Sequence, residues 1–156
     1  MIQRIQTLFL FIVFGLNLAI FFVPIASFFD SPVYTVDFGL LGVREYTHYH
    51  ADWPDTIYLA AITGLICLLS FITVFMYKRR MMQIRFIRFM ILLSIIFLAL
   101  IFFFYVPNLE ALTQTRADYI SQPGIYLSIA SVLFLILASR FIMKDEKLIR
   151  SANRLR

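Results

Sequence analysis

Long apolar runs alternate with short polar breaks along the chain. The first run extends from Thr7 to Phe29, interrupted only by Gly15, Asn17, Pro24 and Ser27. Further runs cover about 57–77, 86–105 and 125–141. Each approaches the roughly 20 apolar residues a helix needs to cross a bilayer core. The pattern therefore predicts four spans, at about 7–29, 57–77, 86–105 and 125–141. Pro24 falls in the last turns of the first, where a kink or early stop costs least. Pro107 is expected to end the third, and Pro123-Gly124 to open the fourth.

The breaks carry patterns of their own. Tyr34, Val36 and Phe38 alternate with Thr35 and Asp37, the period of a strand. Gly39 to Gly42 can turn, and Val43 to His50 can return, which predicts a small β-hairpin on the membrane surface. A lone hairpin is marginal in water, so its apolar face should rest on the helix ends or on a partner. Asp52 or Asp55 is the expected N-cap of the second span, with Trp53 and Tyr58 at the interface. Leu109, Leu112 and Tyr119 suit one interfacial helical turn. Beyond Met143, Leu148, Ala152 and Leu155 recur at helical spacing beside a basic stripe of Lys144, Lys147, Arg150 and Arg154. That describes an amphipathic helix continuing the fourth span. The expected fold is an all-α membrane protein: one domain over 1–156, a four-helix bundle with a hairpin in its first outer loop.

Composition supports the membrane. Hydrophobic residues make up 62% of the chain and charged ones 15%, against roughly 45–50% and ~25% in soluble domains. The first run exceeds the 7–15 or so residues of a signal-peptide core, so it reads as an uncleaved span. The net charge of +5 matters through its placement. The N-terminal segment, the central turn and the tail hold twelve of the fourteen Lys and Arg residues. The two opposite loops hold Arg44 and Arg116, but seven of the nine acids. The bias toward a positive inside then places both termini in the cytoplasm. Lys78, Arg79, Arg80, Arg85 and Arg88 crowd the central turn. With Lys144, Lys147, Arg150 and Arg154, they are expected to contact anionic headgroups or a partner, at about 1 kcal/mol per basic residue near the surface. No aromatic platform or DNA-binding motif accompanies them, so nucleic acid is not an expected partner.

The spans contain little chemistry. Away from the interfaces they hold no Asp, Glu, Lys, Arg or His, which argues against proton relays, voltage sensing and ion-coupled transport. Cys67 is the single cysteine, so a thiol–disulfide relay is excluded. No cofactor or catalytic residue is expected. Asn17 is the candidate buried polar group, read as an interhelical contact worth about 0.6 kcal/mol. Gly15 with Ala19, Ala60 with Gly64, and Ser128 with Ser131 mark expected close approaches between helices. The third span, mostly Phe, Ile and Leu, is expected to face lipid or a partner. His48, His50 and Asp52 would share one face of a strand and form the only metal-like cluster. Without a fourth ligand it reads as a water-facing strand edge, with metal binding the alternative.

The opening 1–8, the turn from Lys78 to Arg88 with Gln83-Ile84-Arg85, the Pro123-Gly124 pair and the ending from Lys144 to Arg156 form a recognisable set. Together they resemble a family of four-span inner-membrane proteins of Bacteroidota, a domain of unknown function. The resemblance covers the whole chain and implies four helices in a bacterial cytoplasmic membrane. It implies no activity, cofactor or catalytic residue. The leading expectation is a non-enzymatic accessory or scaffold subunit of a larger inner-membrane complex. The alternative is a small lipid or solute transporter acting as a homo-oligomer, with Asn17, Thr63, Ser70, Thr73 and Ser94 lining its cavity. A sensor ranks third. An enzyme ranks last, because the loops lack a nucleophile–base pair.

Overall fold

The computed structural model describes residues 2–31, 34–45, 55–76, 79–112 and 118–154. Helix α1 (Ile2–Ile20) leads into strands β1 (Ala26–Ser31), β2 (Tyr34–Gly39) and β3 (Gly42–Glu45). Helices α2 (Ile57–Phe75) and α3 (Arg80–Leu100) follow. A π-helical segment (Ile101–Tyr105), α4 (Val106–Leu112), β4 (Asp118–Ser121) and α5 (Pro123–Arg154) complete the order.

Three stretches are long and apolar enough to cross a membrane: Ile57–Phe75, Met81–Ala111 and Pro123–Glu146. The first apolar helix, Thr7–Ile20, is shorter. The chain thus has the character of a multi-pass membrane protein, with helices that pack as a ring. α1 lies between α2 and α5, and α3 closes the ring against the same two. Neighbours run antiparallel. Phe14 meets Phe71 at 5.6 Å while Phe21 reaches Gly64, and Gln83 donates to the Thr73 carbonyl while Tyr105 donates to that of Asp55.

The first helix is shorter than its apolar run. Instead of continuing to residue 29, it stops at Ile20, and Ile25 to Phe28 become the buried start of a sheet. Pro24 explains the change. It cannot donate to the helix, and its carbonyl instead accepts the Gly124 N–H at 3.0 Å. An apolar run buried in a sheet reads the same as one buried in a helix.

The hairpin forms as expected from Tyr34 through a turn to Glu45, with Gly39 paired to Gly42, and the rest of the expected return, 46–50, lies outside the described residues. Gly42 has φ of 131°, open only to glycine. The hairpin is half of a larger antiparallel sheet in the order β3-β2-β1-β4. β4 replaces the end of the expected interfacial helix, so Tyr119 lies in a strand, opposite Phe28. Ala26, Phe28, Val36 and Phe38 form one buried face. It packs with Ile101, Tyr105, Val106, Leu109 and Ile125 in one core. The sheet therefore docks on its own bundle.

Several boundaries move. α3 begins earlier than its apolar run, at Arg80, and carries Arg85 and Arg88 in its first turns. Pro107 does not end the third helix. The wider π turn before it redirects the Val106 N–H to the Ile101 carbonyl. This loosened turn absorbs a proline that lacks its own donor and would crowd the preceding carbonyls. Thr56 takes the N-cap position of α2 without a side-chain hydrogen bond. Asp55 is therefore not the cap, and Asp52 lies outside the described residues. Pro123 starts α5, which runs unbroken to Arg154, as the continuous tail helix required. α3 is not merely a lipid-facing helix. Ile87, Met90, Ser94 and Phe97 turn inward, and Phe89, Leu92, Ile95 and Ile96 stay exposed.

Candidate functional site

Two apolar cores fill the bundle. One lies beneath the sheet. The other, toward the basic end, gathers Leu10, Val13, Ile84, Ile87, Met90, Leu135, Ala138 and Ile142. Between them each helix contributes a buried polar residue. Asn17 lies between Val13 and Ile20 on α1, Thr63 beyond Leu59 on α2, and Ser94 between Met90 and Phe97 on α3. Ser128 and Ser131 lie between Ile125 and Leu135 on α5. The result is a polar belt across the bundle.

Its hydrogen bonds turn inward. The Asn17 side-chain amide donates to the Val13 carbonyl at 2.8 Å and to Ser131 Oγ at 2.7 Å, joining α1 to α5. Thr63, Ser94 and Ser128 each donate to the carbonyl four residues earlier, at 3.0, 2.9 and 2.8 Å. Ser70 and Thr73 also return to their own helix, at 2.8 and 2.6 Å. Such back-bonding satisfies a hydroxyl in an apolar setting without needing a partner helix. Of the residues that the transporter alternative sets around a cavity, Thr63, Ser70, Thr73 and Ser94 bond the backbone of their own helices, and Asn17 bonds both Val13 and Ser131.

The close helix approaches are not all where small residues suggested. Gly15 is exposed, with no atom within 4 Å of an added Cβ. Gly124 is the tight point. A Cβ there would sit 2.7 Å from the Pro24 carbonyl oxygen and 3.1 Å from Ile25 Cα. Both are backbone atoms with little room to yield.

At the basic end, Arg79, Arg85, Arg88 and Lys144 are exposed, and Arg88 reaches Met143 Sδ at 3.9 Å. Arg80, Lys147, Arg150 and Arg154 lie on described helices, but their side chains fall outside the described residues. So do Lys78 and the whole His48, His50 and Asp52 cluster. Asp145 is buried, at 7% exposure, where α5 still packs against the bundle. An acidic residue among basic ones gives no periodic signal for that burial.

Two cavities lie near the sheet end. A groove of about 320 Å³ runs between α1 and α2, lined by Phe14, Phe21, Gly64, Cys67, Leu68 and Phe71. A smaller cavity of about 40 Å³ sits between the end of α1 and the β2–β3 turn, where Phe21 recurs beside Pro24, Asp37, Leu40 and Arg44. Asp37 and Arg44 are cross-strand partners, and Asp37 also accepts a hydrogen bond from Ser27.

No curated protein matches the chain. The family match, in contrast, covers nearly all of it, from residue 2 to residue 155. The protein belongs to the family described as Domain of unknown function (DUF4293).

Proposed function

We propose that this protein is a non-enzymatic accessory or scaffold subunit of a larger complex in a bacterial inner membrane. All four long helices cross the bilayer, both termini are cytoplasmic, and the sheet faces outward. α1 has 19 residues, about 28 Å at ~1.5 Å per residue, against a hydrocarbon core of roughly 30 Å. The placement of twelve of fourteen basic residues at one end supports the orientation. Anionic headgroups then meet the exposed Arg79, Arg85, Arg88 and Lys144.

The polar belt carries the reading. Its hydroxyls bond their own helices, and Asn17 joins α1 to α5. The belt's polarity is thus satisfied within the bundle, by the helices' own backbone and by the one Asn17–Ser131 link, which favours a structural role over a transport path. Interaction is left to the sheet, the basic end and the lipid-facing surfaces. Gentle extraction followed by native mass analysis tests this. A stoichiometric protein partner is expected. A lone chain, with solute flux in reconstituted vesicles, would replace this reading with the transporter one.

A further inference from the structure

Gly64 lines the groove between α1 and α2. The nearest atom to an added Cβ there is Phe21 Cζ, 3.9 Å away, so a methyl group would just touch the ring and a larger side chain would reach into the groove. From Gly64 to Phe71 the groove follows α2 for seven residues, about 10 Å at ~1.5 Å per residue. One leaflet's hydrocarbon is about 15 Å deep, half of the ~30 Å core, so the groove covers most of that depth. The Phe14–Phe71 contact, with ring centroids 5.6 Å apart, narrows it at the end away from the sheet. Its lining is apolar throughout, which suits one acyl chain.

The mouth supplies selection. Phe21 borders both cavities, so the groove and the smaller one beneath the β2–β3 turn adjoin at its ring. There an acid and a base, Asp37 and Arg44, stand opposite each other on paired strands. Ser27 engages one carboxylate oxygen of Asp37, and the residue still lines the cavity. Arg44 is exposed at the rim. The cavity volume of about 40 Å³ exceeds the 10–15 Å³ or so needed for one water, which admits the tip of a small headgroup. A headgroup carrying both a primary ammonium and a phosphate matches this pair in sign. Both contacts would be charge-assisted hydrogen bonds.

We infer that the two adjoining cavities together bind one aminophospholipid of the phosphatidylethanolamine type, in the leaflet on the sheet side. Its ammonium meets Asp37, its phosphate meets Arg44, and one acyl chain lies along Gly64 and Cys67. Phosphatidylcholine keeps the charge but has no N–H to donate to Asp37. Phosphatidylglycerol has no cation at all.

The test reconstitutes the full chain into vesicles of equimolar phosphatidylethanolamine, phosphatidylcholine and phosphatidylglycerol, then reads retained lipid by native mass spectrometry. One phosphatidylethanolamine per chain is expected, enriched roughly tenfold over the others, the scale of one charged hydrogen bond. Gly64→Leu should lose it by filling the groove. Arg44→Ala, at an exposed position, should fold normally and lower occupancy roughly tenfold. Retention in bulk proportions, or an unchanged lipid on either variant, overturns the inference. So does a dimer whose groove is covered by a second copy. The readout is lipid mass, so it can fail while the subunit reading stands.

Discussion

Gly124 shows how much one missing side chain can decide. It opens α5, and its N–H bonds the Pro24 carbonyl at 3.0 Å, so α5 and the link from α1 to β1 touch backbone to backbone. Gly124→Ala would drive a methyl group into that carbonyl, 2.7 Å away. Overpacking of this kind costs about 1–3 kcal/mol. A clear fall in the thermal midpoint in detergent is expected, while Gly15→Ala, at an open site, should leave it nearly unchanged. Midpoints that shift equally would refute the distinction. The sequence marks Gly124 as the start of a span and Gly15 as the interior of one, but neither letter says which is crowded. Only the neighbouring backbone, brought in from a hundred residues away, separates them. Asn17 differs, because an amide within an apolar run already demands a partner, and only the identity of Ser131 needed the fold.

At the level of elements, the sheet is a lid bolted onto the bundle. Phe38 is fully buried and stacks on Tyr105 at 5.3 Å, while the Tyr105 hydroxyl donates to the Asp55 carbonyl at 2.6 Å. Phe38→Ala should cost about 3–5 kcal/mol. Limited proteolysis is expected to cut first in the sheet and to spare α2 and α5. Cleavage beginning inside the bundle would contradict this. The helices were largely legible in advance, since runs of the right length and dryness admit few alternatives. β2 and β3 were legible from alternation and two glycines. β1 was hidden inside an apolar run that also suits a helix, and β4 is too short to show a period. Pro107 misled for a related reason. Proline forbids a regular turn, and a π turn is not regular.

Across the whole molecule, charge and apolar length set the frame, and the ring of helices places the sheet at one end and the basic turn at the other. That polarity can be read directly. In a Cys67→Ser background, Leu41→Cys near the β2–β3 turn and Arg79→Cys beside α3 are both exposed positions. An impermeant maleimide should label the first in intact cells and the second only after permeabilisation. The reverse result would invert the proposed topology. The two adjoining cavities belong to this scale too, because they need α1, α2 and the hairpin together. Nothing in the spacing of Phe14, Gly64 and Arg44 along the chain announces them.

The pairing of β1 with β4 has a consequence for biogenesis. Residues 26–29 are matched to residues 118–121, with α2, α3 and α4 strung between them. While the ribosome is still making the third helix, β1 has only β2 beside it, and its far edge stays bare. The lid can close only when most of the polypeptide has been threaded into the bilayer. Nascent chains halted before residue 118 should therefore remain protease-sensitive at β1, and those that include α5 should become resistant there.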